Sequence, residues 1–105
     1  MKQYQVKITD KSLADMTAIY DYIAITLQAP DAAMGQYDRI AEEIESLSLA
    51  PERCRQFESH PEHDRGMRHL LVDNYSAIYV VAENCVTVLR VLYSASDIFA
   101  RLQNE

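Results

Sequence analysis

Three apolar segments in the second half of the chain constrain the fold more than any other feature. They span residues 67–72, 75–82 and 85–93, and only two residues separate each from the next. The two gaps are Asp73-Asn74 and Glu83-Asn84. Asn tolerates the positive φ that two-residue hairpin turns require. The spacing therefore predicts three consecutive antiparallel strands.

The last of these segments is apolar on both faces. Val86, Val88 and Leu92 alternate with Leu89 and Val91. A strand that buries both of its faces lies inside a sheet rather than at its edge. We therefore expect residues 85–93 to form a central strand.

The first half of the chain predicts one strand and two amphipathic helices. Tyr4, Val6 and Ile8 alternate with polar residues, as in a strand with one buried face. Apolar residues then recur in steps of three and four, which places them on one side of a helix. These stripes are Leu13, Met16, Tyr20, Ile23 and Leu27, followed by Met34, Tyr37, Ile40, Ile44 and Leu47.

Capping residues and prolines predict where the two helices begin and end. Ser12 is expected to cap the first helix, and Pro30 to end it. Asp31 can cap the second helix, which Pro51 ends. Because the link between them is short, the two helices should form an antiparallel hairpin.

These elements predict an α+β fold in the order β-α-α-β-β-β, with a short terminal helix starting at Ser96-Asp97. The helical hairpin is expected to pack on one face of a four-stranded, mainly antiparallel twisted sheet. The 105 residues fit one domain, residues 1–105.

The charge of the chain argues against a protein that coats nucleic acid. The net charge is −6, whereas a nucleic-acid binder needs a basic face to neutralise phosphates. Arg53, Arg55, Arg65 and Arg68 offer only a local basic patch. Two isolated cysteines, no apolar leader and no membrane span predict a cytoplasmic protein.

Residues 52–66 lack periodicity and are expected to form a loop, with one helical turn near Pro51. Cys54, His60 and His63 lie in this segment and suggest zinc ligands. A fourth ligand at a recognisable spacing is missing, so we expect no metal and no cofactor.

Three segments together resemble the RelE/ParE toxin superfamily of type II toxin–antitoxin, or plasmid-stabilisation, systems. Residues 65–75, RGMRHLLVDNY, resemble an "RGxRxxxVxNY" core. Residues 88–98, VLRVLYSASDI, resemble the closing "VxRVxYxxRDI". Residues 44–53, IESLSLAPER, are similar to the "IxSLxxxPER" helix end. The resemblance spans the chain in the same element order.

The resemblance implies a growth-inhibiting toxin that a co-expressed antitoxin neutralises by wrapping its helices and sheet. Some members cleave ribosome-bound mRNA, and others poison DNA gyrase with the same fold. Nuclease members usually carry Arg after the tyrosine of the core motif and Arg or Lys after the last strand. This chain has Ser76 and Ser94-Ala95-Ser96 at those positions.

If the chain is a nuclease, the resemblance nominates four catalytic residues: Arg68, His69, Arg90 and Tyr93. The arginines would hold negative charge, His69 would act as acid or base, and Tyr93 would stack on a base. A structural alternative is that each arginine forms an ion pair with a helix carboxylate such as Glu42 or Glu45, while Tyr93 belongs to the core or its rim and His69 faces outward.

The missing basic residues and the net charge favour a toxin that binds a protein target such as DNA gyrase. A ribosome-dependent mRNA endoribonuclease with an altered site is the alternative, and a decayed module that only binds its antitoxin is a third. The expected partner is a cognate antitoxin, beside gyrase or the ribosome and its mRNA. No membrane contact is expected, and the sequence leaves a homodimer open.

Overall fold

A helical hairpin packs on one face of a four-stranded sheet, as the sequence predicts. The structure is a computed structural model that describes residues 3–54, 56 and 66–95. Its elements are β1 (Gln5–Ile8), α1 (Asp10–Asp21), a π-helical segment (Tyr22–Thr26), α2 (Pro30–Glu45), 3-10 turns at Ser46–Ser48 and Pro51–Arg53, β2 (Arg68–Val72), β3 (Tyr75–Ala82) and β4 (Cys85–Tyr93). The predicted terminal helix from Ser96 lies outside the described residues.

The strands lie in the order β1-β4-β3-β2. β1 runs parallel to β4, and the two other pairings are antiparallel. The prediction that residues 85–93 form a central strand is thus confirmed. Both two-residue turns are present, and the positive φ falls on Asp73 and Glu83, the residue before each Asn.

β4 carries one extra residue in its pairing with β3. Ile78 lies opposite Arg90, whereas the next residue, Tyr79, lies opposite Val88. Leu89 is therefore the bulged residue. A bulge of this kind locally disrupts the hydrogen-bond ladder of a sheet.

The main core lies between the helices and the sheet. Met16, Ile40, Ile44 and Leu47 from the helical side pack against strand residues that include Tyr79 and Val88, and all of these are at most 2% exposed. On the other face of the sheet, Ile78 and Met67 form a second buried cluster with the partly buried Val80 and Leu89. The core confirms the predicted positions of the two helices.

The predicted apolar stripe of each helix is wrong at its first residue. The stripe of the first helix is also wrong at its last residue. Leu13, Leu27 and Met34 are about half exposed. Ser12, Ala33 and Gln36 are buried instead. Each helix is therefore rotated from the phase that its large apolar residues indicate, because it buries small and polar side chains against the strands.

The predicted helix ends also differ from the observed ones. The cap of α1 is Thr9, whose hydroxyl accepts a hydrogen bond from the Ser12 amide at 3.2 Å. The helical region ends where Gln28 adopts φ 55°, and the Ala29 amide donates to the Ile23 carbonyl. Pro30 therefore begins α2 rather than ending α1, as suits a residue without an amide proton.

Candidate functional site

The four predicted catalytic residues lie on two opposite faces of the sheet. Arg68 shares the helix-facing side of β2 with Leu70 and Val72, and Tyr93 shares that side of β4 with Val91. By strand alternation the backbones of His69 and Arg90 lie on either side of Ile78, whose side chain is on the far face, but the Arg90 guanidinium reaches Asp15 of α1.

The strand register also gives the backbone spacing of the predicted residues along and across β3. Arg68 lies opposite Tyr79 and Tyr93 opposite Tyr75, four residues apart along β3, which corresponds to roughly 13 Å. His69 and Arg90 lie on strands either side of β3, roughly 10 Å apart between backbones. The register therefore places Arg68 and Tyr93 towards different ends of β3 rather than beside one another.

Arg90 binds a carboxylate of α1. Its Nε donates to Asp15 Oδ2 at 2.7 Å and its Nη2 to Asp15 Oδ1 at 2.9 Å. Both side chains are about 15% exposed or less. Arg90 thus pairs with a helix carboxylate, as the structural alternative anticipated, although the partner is Asp15 rather than Glu42 or Glu45.

Asp15 also completes the hydrogen bonding of β4 beside the bulge. Its Oδ2 accepts the Val91 amide at 3.0 Å. Ser12 and Thr9, which precede Asp15, also bind the backbone of β4, but as donors. The Ser12 hydroxyl donates to the Val88 carbonyl at 2.8 Å, and the Thr9 hydroxyl donates to the Leu89 carbonyl at 3.2 Å. These three side chains continue the edge of β4 where β1 has ended.

Sequence reasoning missed this function of Thr9, Ser12 and Asp15. Their spacing of three along the chain was a signal, because it places the N-cap Thr9 and the helical residues Ser12 and Asp15 on one side of α1. A search for apolar periodicity does not detect a polar stripe, even when that stripe is the one facing the sheet.

Arg68 binds backbone rather than a carboxylate among the described residues. Its Nη1 donates to the carbonyl oxygens of Cys54 at 2.7 Å and Glu52 at 3.2 Å. Beside it, the buried Tyr79 hydroxyl donates to the Pro51 carbonyl. Burial, and then a hydrogen bond with Cys54, raises the pKa of Tyr79 far above its ordinary value. Arg68 and Tyr79 therefore fasten the segment after α2 to the sheet.

The position where nuclease members carry an extra arginine holds a buried hydroxyl. Ser76 is 2% exposed, and its Oγ lies 2.8 Å from the Ser94 Oγ. One of these two serine hydroxyls donates a hydrogen bond to the other, and neither carries a positive charge. The arrangement supplies little to stabilise an added negative charge on a phosphate.

An open groove lies between α1, the π-helical segment and the end of β4. We call it the β4 groove, and its volume is about 540 Å³. It is lined by Asp15, Ala18, Ile19, Tyr22, Leu27, Tyr75, Val91, Leu92 and Tyr93.

Three tyrosines, Tyr22, Tyr75 and Tyr93, line the β4 groove beside aliphatic residues. The rings of Tyr75 and Tyr93 meet edge to face with centroids 5.9 Å apart. Burial, with smaller effects of Tyr93 and Tyr22, raises the pKa of Tyr75, so its hydroxyl is neutral and able to donate. Tyr22 and Leu27 are more than half exposed on the same groove. Aromatic rings with polar hydroxyl groups are typical of surfaces that bind another protein, more than of sites for general acid–base catalysis.

The described residues contain no group of three metal-ligating side chains. Of the residues considered as zinc ligands, Cys54 is a half-buried free thiol, and His60 and His63 lie outside the described residues. No described helix is both long and apolar enough to cross a membrane.

Three solved structures of similar architecture come from toxin–antitoxin systems. The chain matches a chain of the chromosomal ParDE TA system from P. aeruginosa with a TM-score of 0.73 and 26% identity, over 89% of this chain and 98% of that chain. It matches the toxin–antitoxin complex RelBE2 from Mycobacterium tuberculosis with a TM-score of 0.63 and 19% identity, over 91% and 97%. It matches the archaeal RelE-RelB complex from Pyrococcus horikoshii OT3 with a TM-score of 0.60 and 17% identity, over 90% of this chain and 98% of that chain.

The fold is therefore that of the RelE/ParE superfamily. A comparison with curated proteins gave no match. The sequence model described as the ParE toxin of the type II toxin–antitoxin system parDE matches residues 6–98. The chain belongs to this ParE toxin family, and the resemblance seen in the sequence is confirmed.

Proposed function

We propose that this chain is a growth-inhibiting toxin that a cognate antitoxin neutralises, and that it acts in the cytoplasm by binding a protein target such as DNA gyrase. The single observation that carries the proposal is that both arginines nominated for catalysis are engaged within the fold, Arg90 by the Asp15 carboxylate and Arg68 by backbone carbonyls. Membership of the ParE family supports the toxin assignment. The P. aeruginosa system of similar fold is a toxin–antitoxin system as well.

Cleavage of RNA through the 2′-hydroxyl needs a base, an acid and cations positioned around one phosphate. Arg90 and Arg68 are instead engaged with Asp15 and with backbone carbonyls. Ser76 stands where nuclease members carry an arginine, and its hydroxyl lies against that of Ser94. Ser96, the second such position, lies outside the described residues. These contacts favour binding of a protein over cleavage of a nucleic acid.

The β4 groove is the surface that we assign to the antitoxin. Its aromatic walls and its exposed Tyr22 and Leu27 are suited to the apolar anchors of an amphipathic segment. Truncating those anchors should therefore weaken the complex much more than raising the salt concentration does. A complex that dissociates in moderate salt alone would contradict this assignment.

The proposal is tested by adding purified, antitoxin-free protein to DNA gyrase and measuring supercoiling of relaxed plasmid. We expect inhibition that depends on toxin concentration and is relieved by the antitoxin. Topoisomerase I relaxation in the same buffer is the control and should be unaffected. Growth arrest without any effect on gyrase would exclude gyrase as the target. Absence of both effects would indicate a decayed module that only binds its antitoxin.

A further inference from the structure

The helical region that begins with α1 ends in a wider turn than an α-helix has. Residues 22–26 are π-helical, and the Leu27 amide donates to the Tyr22 carbonyl at 3.0 Å, across five residues rather than four. The Ala29 amide then donates to the Ile23 carbonyl at 3.0 Å, across six residues. The usual helix-end bond of this second kind spans five residues. Both bonds are therefore longer by the same single residue.

This extra residue determines which side chain follows Tyr22 on the β4 groove. Tyr22 and Leu27 both line the groove. On an α-helix, the residues three and four positions after Tyr22 would share its face, and these are Ile25 and Thr26. Leu27 would instead lie about 140° around the helix from Tyr22. The π turn therefore brings Leu27 to the place that Thr26 would take on a regular α-helix.

The exchange of Thr26 for Leu27 makes this part of the groove more apolar. Leu27, Tyr22 and Tyr93 are each at least half exposed, so all three offer apolar surface to a bound segment. Thr26 in the same place would offer less apolar surface and a hydroxyl group. Covering a hydroxyl with an apolar side chain costs free energy unless the hydroxyl finds a new hydrogen bond. The register of the turn thus sets the polarity of this wall.

Packing within the fold does not account for the π turn. None of the residues 22–26 is fully buried, and Ile25 is 71% exposed. A π turn inside a helix is rare and is found mostly at functional sites. The feature that this turn does determine is the wall of the β4 groove.

We propose that the π turn is a specificity element of the β4 groove, selecting a partner with an apolar side chain opposite Leu27. This inference rests on the proposed function, because it takes the antitoxin as the occupant of the groove. An aliphatic or aromatic anchor would contact Leu27, Tyr22 and Tyr93. A polar side chain in the same position would lose its hydrogen bonds to water without replacing them.

Nuclear Overhauser contacts in the purified toxin test the register without any partner. We expect contacts from the Tyr22 ring to the Leu27 methyl groups and none to the Thr26 methyl group. Contacts to Thr26 instead would overturn the inference. Deleting Ala24 should restore α-helical bonding and keep Leu27 near Tyr22, now four residues on, with an unfolding midpoint in urea no lower than that of wild type. A large fall in this midpoint would show that the fold itself requires the π turn, which would also overturn the inference.

Exchanging two neighbouring residues tests the effect on binding by its sign. Thr26→Leu with Leu27→Thr keeps the composition and should weaken binding of labelled antitoxin, measured by fluorescence anisotropy, about tenfold, as for loss of an apolar anchor. On an α-helical turn the same exchange would place leucine on the groove and tighten the complex, which would overturn the inference. The Ala24 deletion should leave the affinity within about threefold of wild type, because it keeps Leu27 on the groove.

Single substitutions provide the matched control. Leu27→Ala should weaken antitoxin binding about tenfold, whereas Ile25→Ala removes a more exposed aliphatic side chain outside the groove and should have little effect. Equal losses from the two would mean that exposed apolar area alone governs binding, contrary to the inference. If the antitoxin binds wild type and the exchange variant equally, the proposed function stands and only the inference is wrong. If it does not bind wild type, the proposed function fails and the inference fails with it.

Discussion

Removing the Asp15 carboxylate should be among the most destabilising single changes in this protein. Asp15→Ala takes away the partner of the Arg90 guanidinium and the acceptor of the Val91 amide, and the Arg90 side chain is only 15% exposed. Breaking a largely buried pair from one side costs about 3–5 kcal/mol. The free energy of unfolding of a small domain is about 5–15 kcal/mol, so this loss is a large share of it.

Urea unfolding followed by far-UV circular dichroism measures the effect. With a slope of about 2 kcal/mol per molar urea, the midpoint should fall by about 1.5–2.5 M. The matched control is Arg39→Ala, which breaks the exposed Arg39–Asp73 pair, whose side chains are 56% and 46% exposed. That change should cost no more than about 1 kcal/mol.

The double variant Asp15→Ala with Arg90→Ala completes the cycle. It should cost less than the sum of the two single changes, because neither charge is left beside an absent partner. Equal, small effects of Asp15→Ala and Arg39→Ala would refute the reasoning, since they would show that burial adds nothing to the Asp15–Arg90 pair.

Three further predictions concern packing, pH and the hairpin turn. Ile44→Ala should cost about 2–5 kcal/mol because Ile44 is fully buried, whereas Ile23→Ala should cost less, since Ile23 is only partly buried; urea unfolding compares them. Hydrogen bonds from Arg39 and then Gln36 hold the pKa of Asp73 below its usual 3.8. The ionised Asp73 therefore stabilises the fold above pH 3.8, and this contribution is lost as the pH falls through the lowered pKa of the folded state. Wild type should accordingly lose more stability than Asp73→Asn between about pH 5 and pH 3. Glu83→Asn should raise the free energy of unfolding by up to about 1 kcal/mol, because Glu83 adopts φ 57° and Asn tolerates this better.

Each of these has a contradicting outcome. Equal costs for the two isoleucines would mean that the burial of Ile23 is misjudged. If the free energy of unfolding fell equally with pH in wild type and Asp73→Asn, the Arg39 hydrogen bond would not lower the pKa of Asp73. A destabilising Glu83→Asn would show that the Glu83 side chain has a favourable contact outweighing its backbone strain.

The sheet was predictable from the sequence because its signals are local. Two-residue gaps at Asp73-Asn74 and Glu83-Asn84 determine both hairpins, and apolar residues on both faces indicate that β4 is central. The rotation of the helices was not predictable from apolar residues, because Ser12 and Gln36 are buried while Leu13 and Met34 are exposed.

The candidate site was harder to predict than the fold. The Asp15–Arg90 pair joins residues 75 positions apart, and no local pattern specifies which carboxylate an arginine will bind. The alternation of strand residues did contain the information that Arg68 and His69 point to opposite faces. That alternation alone argues against a joint catalytic role for those two neighbours.

Mapping of mRNA ends on translating ribosomes tests the central claim most directly. Purified, antitoxin-free protein is added to the translating ribosomes, with Arg68→Ala as the comparison and a RelE-type nuclease as the positive control. A protein that lacks converging cations around a phosphate should produce no cleavage above background, while still arresting growth on overexpression. Rapid cleavage that Arg68→Ala abolishes would contradict the account and make this chain an endoribonuclease.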